Sequence, residues 1–287
     1  MHLARDVPRA ELAEHLRAGR WEKVRHGAYV ETVTSPNTYE ERRRRALALI
    51  AAVSRQNVRE HVVSHASAAL LHGLPVVGPL AQVHLVQAFS CGARDADDVR
   101  RHLLELPDSQ VTRRHGLLVT TLERTLVDCA MALPRRRGLV IADAALHVGA
   151  DREECARILE EMSGKRGVVA ARWVLDAADA GSESAGETLA RFEVLAAGLP
   201  RPVTQLRVEA EGYVSWGDLG WPEHRVLLEY DGTAKYEAGG SASSAVLAEK
   251  RRQERLEAAG WKVVRVAAPD LREPTPWLTR LATLLPR

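Results

Sequence analysis

The sequence predicts an α+β protein with several domains. Three observations lead to this fold class. A helix followed by a short hairpin opens the chain, four successive helical patterns fill the region after about residue 120, and the last hundred residues give helix, three strands, helix and strand. A length of 287 residues suits two or three domains.

The predicted domain boundaries follow changes in composition and pattern. The segment GSESAG at 181–186 is small and polar and lies between two helical patterns. We therefore predict an N-terminal lobe at 1–58, a middle α/β domain at 59–181 that is mostly helical after 120, and a C-terminal αβββαβ domain at 182–287.

Composition places the chain among globular proteins of the cytoplasm. The apolar fraction is 46% and the charged fraction 27%, and the longest apolar runs are far shorter than the ~18 residues of a membrane-spanning helix. The N-terminus lacks the apolar segment of a secretory signal. Cys91, Cys129 and Cys155 are odd in number and widely spaced, which favours reduced thiols. We expect no membrane association.

The histidines do not follow the spacing of a zinc finger. Eleven are present, and His61 and His65 are four residues apart without the glutamate pattern of a zinc protease. We interpret these two as structural or surface residues.

The N-terminal lobe has the pattern with which a winged helix–turn–helix ends. Leu12 and Leu16 recur at helical spacing, Gly19 closes the helix, and WEKVRHGAYV alternates about a central His26-Gly27 as a hairpin does. Residues 1–60 carry 12 Lys and Arg against 8 Asp and Glu, a bias that permits DNA contact. Any small α+β lobe would give the same pattern.

A run of four arginines at 42–45 lies within the next predicted helix, TYEERRRRALALIAAVSR. Successive helical residues are about 100° apart, so the four side chains do not share one direction. The run is typical of a solvated helix face, and phosphate contact is the alternative.

The C-terminal region combines buried strands with carboxylates. The predicted strands are 203–210, 213–219 and 225–231, and the continuous apolar run at 226–228 indicates a central strand buried on both faces. Glu229 and Asp231 lie on one face of that strand by alternation.

Asp218 ends the preceding strand, so antiparallel pairing would place it roughly 5 Å from Glu229. Carboxylates that close repel unless one is protonated or a cation lies between them. Hard oxygen ligands suit Mg²⁺ or Mn²⁺, which assist phosphodiester cleavage.

These residues resemble a known family. The matching features are Asp218, EYDG at 229–232, Lys235, SAGE at 184–187 and EKRRQERLEAAGWKVVRV at 249–266. In their order along the chain, these features resemble the PD-(D/E)xK nuclease superfamily, and more narrowly the domain related to very-short-patch-repair (Vsr) endonucleases. The resemblance covers residues 184 to about 271 and implies a restriction-endonuclease-like fold.

The resemblance also implies a metal site and its chemistry. Asp218, Glu229 and the main-chain carbonyl of Tyr230 would bind the divalent metal, and Glu187 on the first helix would assist. Asp231 stands where the family has lysine, and Lys235 would supply the positive charge from the following loop. This departure leaves two readings open, an active nuclease and a fold that has lost its chemistry.

The helix after the site carries three cations that would face DNA. Lys250, Arg251 and Arg255 are the candidates, because residues 251 and 255 are one helical turn apart. In the alternative reading they pair with glutamates of the same helix.

The first half of the chain resembles a second family. GRWEKVRHGAYV, HASAALLHGLP and GLLVTTLERTLVDCA follow one another as in the AbiEi-like antitoxins of type IV toxin–antitoxin systems. This resemblance implies a winged helix that binds operator DNA, for which Arg20, Lys23, Arg25 and His26 are the candidate contacts.

Together these features predict a metal-dependent DNA endonuclease of Vsr-like type with an N-terminal DNA-binding module. Its cofactor would be Mg²⁺ or Mn²⁺ and its partner DNA. The alternative is an AbiEi-like antitoxin and transcriptional repressor with an inactive nuclease fold, and a toxin would then be a second partner.

Overall fold

The structure, a computed structural model, describes residues 1–33, 37–80, 82–88, 97–210, 212–232 and 242–285, except for the side chains of 210 and 242–248. The contacts divide the chain into two compact units. Unit 1 is formed by Met1–Leu133 and Asp151–Ala171, and unit 2 by Pro134–Ala150 and Arg172–Arg287. Unit 2 therefore begins earlier in the chain than the polar segment 181–186, where the sequence predicts a boundary.

The described residues form ten α helices and twelve strands. The helices are α1 (Arg9–Arg17), α2 (Thr38–Gln56), α3 (His65–Leu71), α4 (Leu122–Ala132), α5 (Arg135–His147), α6 (Arg152–Glu161), α7 (Val168–Ala177), α8 (Ala185–Ala196), α9 (Ala242–Ala258) and α10 (Thr275–Leu284). The strands are β1 (His2–Leu3), β2 (Trp21–Arg25), β3 (Ala28–Glu31), β4 (Val62–Val63), β5 (Val83–Gln87), β6 (Val99–Leu103), β7 (Val111–Arg114), β8 (Leu117–Thr120), β9 (Val203–Ala210), β10 (Tyr213–Trp221), β11 (Val226–Asp231) and β12 (Lys262–Ala267). Within the described ranges, no helix is long and apolar enough to cross a membrane.

Unit 1 opens with a small antiparallel sheet of strand order β1-β3-β2. The predicted hairpin is present, and Gly27 makes its turn with φ +70°, a backbone conformation that glycine adopts without steric cost. Buried Leu3, Ala28 and Ala52 join this sheet to α2. In the part of the chain that the structure describes, one short 3-10 turn at Ala4–Asp6 and α1 precede the hairpin. A mixed α/β lobe is therefore present, and the winged helix–turn–helix stays a prediction.

The second sheet of unit 1 has five strands in the order β6-β5-β4-β8-β7. Its centre is β4, which is only two residues long and pairs antiparallel with β5 and parallel with β8. Strands β5 and β6 run parallel to each other, and β7 and β8 form a hairpin. Helices α3 and α4 pack against each other, and α6 packs on α4. Cys129 and Cys155, in α4 and α6, are buried free thiols.

Unit 2 contains the helix–strand order that the sequence predicts for the C-terminal region. Its sheet has the order β12-β11-β10-β9, antiparallel except for the parallel pair β11 and β12. The run at 226–228 is fully buried in β11, as expected for a central strand. Leu256 of α9 packs on Val208 and Leu227, so α9 covers one face. Helix α8 packs against β10 and β11.

A buried ion pair joins α5 to α8 within unit 2. Nη2 of Arg191 donates to both carboxylate oxygens of Asp143 at 2.7 and 2.6 Å, and the two side chains are 0% and 1% exposed. Thr188 and the backbone N–H of Asp179 complete the hydrogen bonds to Asp143. The Asp143 carboxylate thus holds α5 and α8 together in the core of unit 2.

Candidate functional site

Asp218 and Glu229 lie side by side at one end of the unit 2 sheet. Strands β10 and β11 pair Leu219 with Leu228, the residues next to Asp218 and Glu229. The backbone N–H of Tyr230 donates to Oδ2 of Asp218 at 2.7 Å. This hydrogen bond holds the Asp218 carboxylate against the end of β11, where the sequence places a metal site.

Arginine side chains surround the Glu229 carboxylate. Nη2 of Arg252 donates to Oε1 at 2.5 Å, and Nε of Arg265 lies 3.8 Å from Oε2. Glu249 accepts from both arginines and links them, at 3.0 and 2.5 Å. Burial raises the pKa of Glu229, and the bond from Arg252 opposes that shift. Glu229 thus belongs to a four-membered ion-pair network.

Glu187 stabilises the start of α8. Oγ of Ser184 accepts the backbone N–H of Glu187 at 3.1 Å, and Oε2 of Glu187 accepts the N–H of Glu183 at 2.9 Å. These reciprocal bonds form a variant of the capping box. A Cβ on Gly186 would lie 2.0 Å from the Tyr230 ring, so only glycine fits there. The SAGE segment thus has a structural explanation in helix capping and close packing.

The carboxylates predicted to hold Mg²⁺ or Mn²⁺ already have other partners in this arrangement. Glu229 already has cationic partners and Glu187 caps a helix. Within the described ranges, no group of three close ligand side chains includes Asp218 or Glu229. Asp231 is half-buried at the end of β11, and Lys235 lies outside the described residues. Binding of Mg²⁺ or Mn²⁺ at this place stays a prediction.

The three cations predicted to hold DNA on α9 have different surroundings. Lys250 is exposed and lies 3.9 Å from Glu254, in agreement with the alternative of pairing along the helix. The guanidinium of Arg255 lies 3.6 Å from the centre of the Tyr213 ring, a cation–π contact. Arg251 is exposed.

Two of the four predicted DNA contacts in the N-terminal lobe are engaged in ion pairs. Arg20 donates to Glu14 at 2.7 Å and to Nδ1 of His15 at 3.0 Å. Arg25 lies 3.0 Å from Asp98, and its side chain is only 18% exposed. For Arg25 in particular, this geometry favours a role in packing the lobe.

Two arginines of the run at 42–45 form ion pairs with the hairpin. Arg44 and Arg45 contact the two carboxylate oxygens of Glu22 at 2.8 and 3.4 Å. These contacts fix α2 to β2. Lys23 and His26 are the predicted contacts that remain exposed on the hairpin.

A second cluster of chemically active side chains lies in the five-stranded sheet of unit 1. His65, His84 and His102 each offer a ring nitrogen, and these atoms all lie within 4.8 Å of one another. Nδ1 of His84 is 3.0 Å from Nε2 of His102. The three rings are stacked, with centroids 4.0–5.2 Å apart. Burial lowers the pKa of His65 to about 2 and that of His84 to about 4.

The interpretation of His65 from sequence missed this cluster. The three histidines are separated by 19 and 18 positions, which match no metal-binding motif. They meet because β5 and β6 are parallel, with Val86 opposite His102, and because α3 begins beside β5. The alternation in VHLVQ and VRRHL is the sequence feature that could have predicted the cluster. It places His84 and His102 on one face of the sheet once the register is known.

Comparisons with known proteins find a family model, two relatives and a solved structure that match this chain. Residues 61–177 match the model of the AbiEi antitoxin C-terminal domain. The uncharacterized Mycobacterium tuberculosis proteins Rv2248 (strain H37Rv) and MT2308 (strain CDC 1551) are each 33% identical over 224 residues, which cover 77% of this chain and 80% of the relative. A crystal structure of the Rv2827c protein of the same organism covers 72% of this chain and 79% of its own, at 18% identity and a TM-score of 0.36. That similarity is too low to support an argument about fold or function.

Proposed function

Because this chain belongs to the same family as the Rv2248 and MT2308 proteins and its residues 61–177 match the AbiEi antitoxin C-terminal domain, we propose that it is an antitoxin-like DNA-binding regulator. Its N-terminal lobe binds operator DNA and its AbiEi-like region engages a toxin. The match at 61–177 carries this proposal. The sequence alone favours the nuclease over the regulator. With this match the regulator is favoured, and the nuclease becomes the second candidate.

The surroundings of the C-terminal carboxylates support a regulator. Glu229 lies in an ion-pair network with Arg252, and Glu187 caps α8. Both contacts give the acidic residues a structural purpose that needs no metal. A nuclease-like fold that has kept its carboxylates for stability would serve as a scaffold or partner module.

The exposed face of the hairpin supports DNA binding by the lobe. Lys23 and His26 lie at or near its turn and are exposed, whereas Arg25 is held by Asp98. A wing of this kind contacts the DNA backbone. Phosphate contacts of exposed cations give binding that weakens as salt rises, because counterions are released.

We expect Lys23→Ala to weaken binding to duplex DNA from the chain's own promoter region. The loss should be a few-fold, and the slope of log affinity against log salt should fall by about 0.9, the value for one phosphate contact. Fluorescence anisotropy over a range of salt concentrations measures both quantities.

Lys165→Ala is the matched control, since Lys165 is also exposed in unit 1 but lies after α6. It should leave the affinity and the salt slope unchanged. An equal loss in both variants would contradict a contact at the hairpin, and absence of duplex binding by the unchanged chain would contradict the proposal.

A metal-dependent nuclease of the Vsr-like type is the second candidate. The observation that favours it is the order α8, β9, β10, β11, α9, β12 with Asp218 bonded to the backbone of Tyr230 at 2.7 Å. This is the arrangement that the superfamily resemblance implies. Activity would require Mg²⁺ or Mn²⁺ to displace Arg252 from Glu229.

We expect the purified chain to leave supercoiled, linear and single-stranded DNA uncut in Mg²⁺ and in Mn²⁺. The reason is that Arg252 and Arg265 already neutralise Glu229. Agarose gel assays beside Asp218→Ala and Glu229→Ala test this expectation. Cleavage that both substitutions abolish would establish the nuclease, whereas cleavage that survives both would indicate a contaminant.

A further inference from the structure

Two hydrogen bonds of the His84 backbone hold the histidine cluster of unit 1 in place. The N–H of Ser64 donates to the carbonyl of His84 at 3.0 Å, and Oγ of Ser67 accepts the N–H of His84 at 3.0 Å. These bonds fix the start of α3 against β5. His65 itself has φ +51°, a left-handed conformation that non-glycine residues rarely adopt. Strained backbone of this kind occurs preferentially at functional sites.

We propose that His65, His84 and His102 form a binding site for a divalent transition metal of the zinc class. The site has three nitrogen ligands and leaves a fourth position open. It lies within residues 61–177 but does not depend on the proposed regulatory function, because it rests on the geometry of the three side chains.

The distances suit such an ion. Zn²⁺–N bonds of about 2.0–2.1 Å place ligand nitrogens about 3.4 Å apart in a tetrahedron. Nδ1 of His84 and Nε2 of His102 are already 3.0 Å apart, and all three ligand atoms lie within 4.8 Å. The ligand nitrogens are thus already close to the spacing that such an ion requires.

A buried carboxylate beside His65 provides an independent observation. Oδ1 of Asp128 accepts from Arg124 at 2.8 Å, whereas Oδ2 is buried and accepts no hydrogen bond from the described residues. Oδ2 lies 3.9 Å from Nδ1 of His65, and Oγ of Ser64 lies 2.9 Å from the same nitrogen. Metal-binding histidines usually donate their second N–H to such a carboxylate. Nε2 of His65 is then the ligand, and Nδ1 faces Oγ of Ser64 at 2.9 Å and the Asp128 carboxylate at 3.9 Å.

The donor set selects the metal. Imidazole nitrogens suit Zn²⁺, Co²⁺, Ni²⁺ and Cu²⁺, whereas Mg²⁺ and Ca²⁺ require oxygen ligands. The site is therefore distinct in its chemistry from the Mg²⁺ or Mn²⁺ expected for Asp218 and Glu229. An ion here would join α3 to β5 and β6 and stabilise unit 1.

Binding must turn the rings out of their stack. A metal ion lies in the plane of each imidazole that binds it, and the planes of His65 and His102 differ by only 13°. Rotation about the side-chain torsions, together with loss of the bond between His84 and His102, brings the lone pairs to one point.

The test uses the full chain, purified without a histidine tag and stripped with a chelator. Titration with Co²⁺ should give the intense visible absorption of a tetrahedral site at one ion per chain, and Zn²⁺ should displace the Co²⁺. His102→Ala should lower the affinity roughly 100-fold or more, and Asp128→Asn about 10- to 100-fold. His102 is the preferred position because it lies half-buried on the edge strand β6, so circular dichroism should remain unchanged.

His115→Asn is the matched control, since His115 is an exposed histidine of unit 1 outside the cluster. It should bind Co²⁺ and Zn²⁺ as the unchanged chain does. The proposal is overturned if micromolar Co²⁺ or Zn²⁺ fails to bind, or if His102→Ala and His115→Asn bind equally well.

Discussion

Arg191→Met is expected to lower the free energy of unfolding of unit 2 by about 3–5 kcal/mol. The substitution leaves the Asp143 carboxylate without its cation in a place where the two side chains are 0% and 1% exposed. It also removes the bond from Nη1 of Arg191 to the carbonyl of Ala177 at 2.6 Å. Urea unfolding followed by tryptophan fluorescence measures the loss, because five of the six tryptophans belong to unit 2.

Two further variants test whether the lost stability comes from the unpaired buried charge. In the double variant Asp143→Leu with Arg191→Met no charge is left buried, so more than half of the lost stability should return. Arg157→Ala removes an exposed ion pair with Glu154 and should leave the urea midpoint unchanged. A loss below about 1 kcal/mol in Arg191→Met would mean that the buried pair contributes little.

The stability deficit of Arg191→Met, its loss of free energy of unfolding relative to the unchanged chain, should depend on pH. Burial raises the pKa of Asp143 above its ordinary value of 3.8, and Arg191 opposes that shift, so removing Arg191 raises the pKa further. A raised pKa in the folded state means that the folded chain holds the proton more tightly than the unfolded chain. The deficit is therefore largest at neutral pH and shrinks as the pH falls through the raised pKa toward 3.8. A deficit that stays constant between neutral pH and about pH 4 would contradict this account.

Arg124→Met is expected to destabilise unit 1 by a similar amount, about 3–5 kcal/mol. Nε of Arg124 donates to Asp128 at 2.8 Å and Nη1 donates to Oε1 of Gln110 at 2.7 Å, and the Arg124 and Asp128 side chains are 5% and 4% exposed. Removing Arg124 leaves both acceptors buried without this donor. Thermal unfolding followed by circular dichroism measures the effect.

Arg114→Met serves as the control for unit 1. Arg114 is an exposed arginine of β7, and its loss should change the melting temperature little. Equal effects of the two substitutions would show that the burial of Arg124 is unimportant.

Local patterns in the sequence were sufficient to predict most helices and strands. The hairpin at 21–31, the four helices after 120 and the C-terminal order of helix, three strands, helix and strand are all present. These features depend on backbone preferences and on the alternation of apolar residues, which act between near neighbours. The two-residue strand β4 and the last helix, α10, were not predicted. Strand β4 is too short to show a period, and it lies at the centre of the sheet only because of its pairing partners.

Some site properties were readable locally but were interpreted through the family resemblance. The S-x-x-E spacing of Ser184 and Glu187 is a capping-box signal, and the structure uses it in that way. The resemblance instead suggested a role beside a metal. The placement of Asp218 and Glu229 on neighbouring strands followed from strand order, whereas the pairing of Glu229 with Arg252 depends on how α9 returns over the sheet.

The sequence by itself thus determined the order of elements, the central position of β11 and the neighbouring carboxylates at its end. Only the tertiary structure decided which distant side chains meet. Asp143 and Arg191 are 48 positions apart, and the three histidines span 65 to 102. Their contacts depend on strand register and helix packing, which are set by burial across the whole unit and not by the residues nearby. For that reason the histidine cluster and the buried ion pairs became visible only in the folded chain.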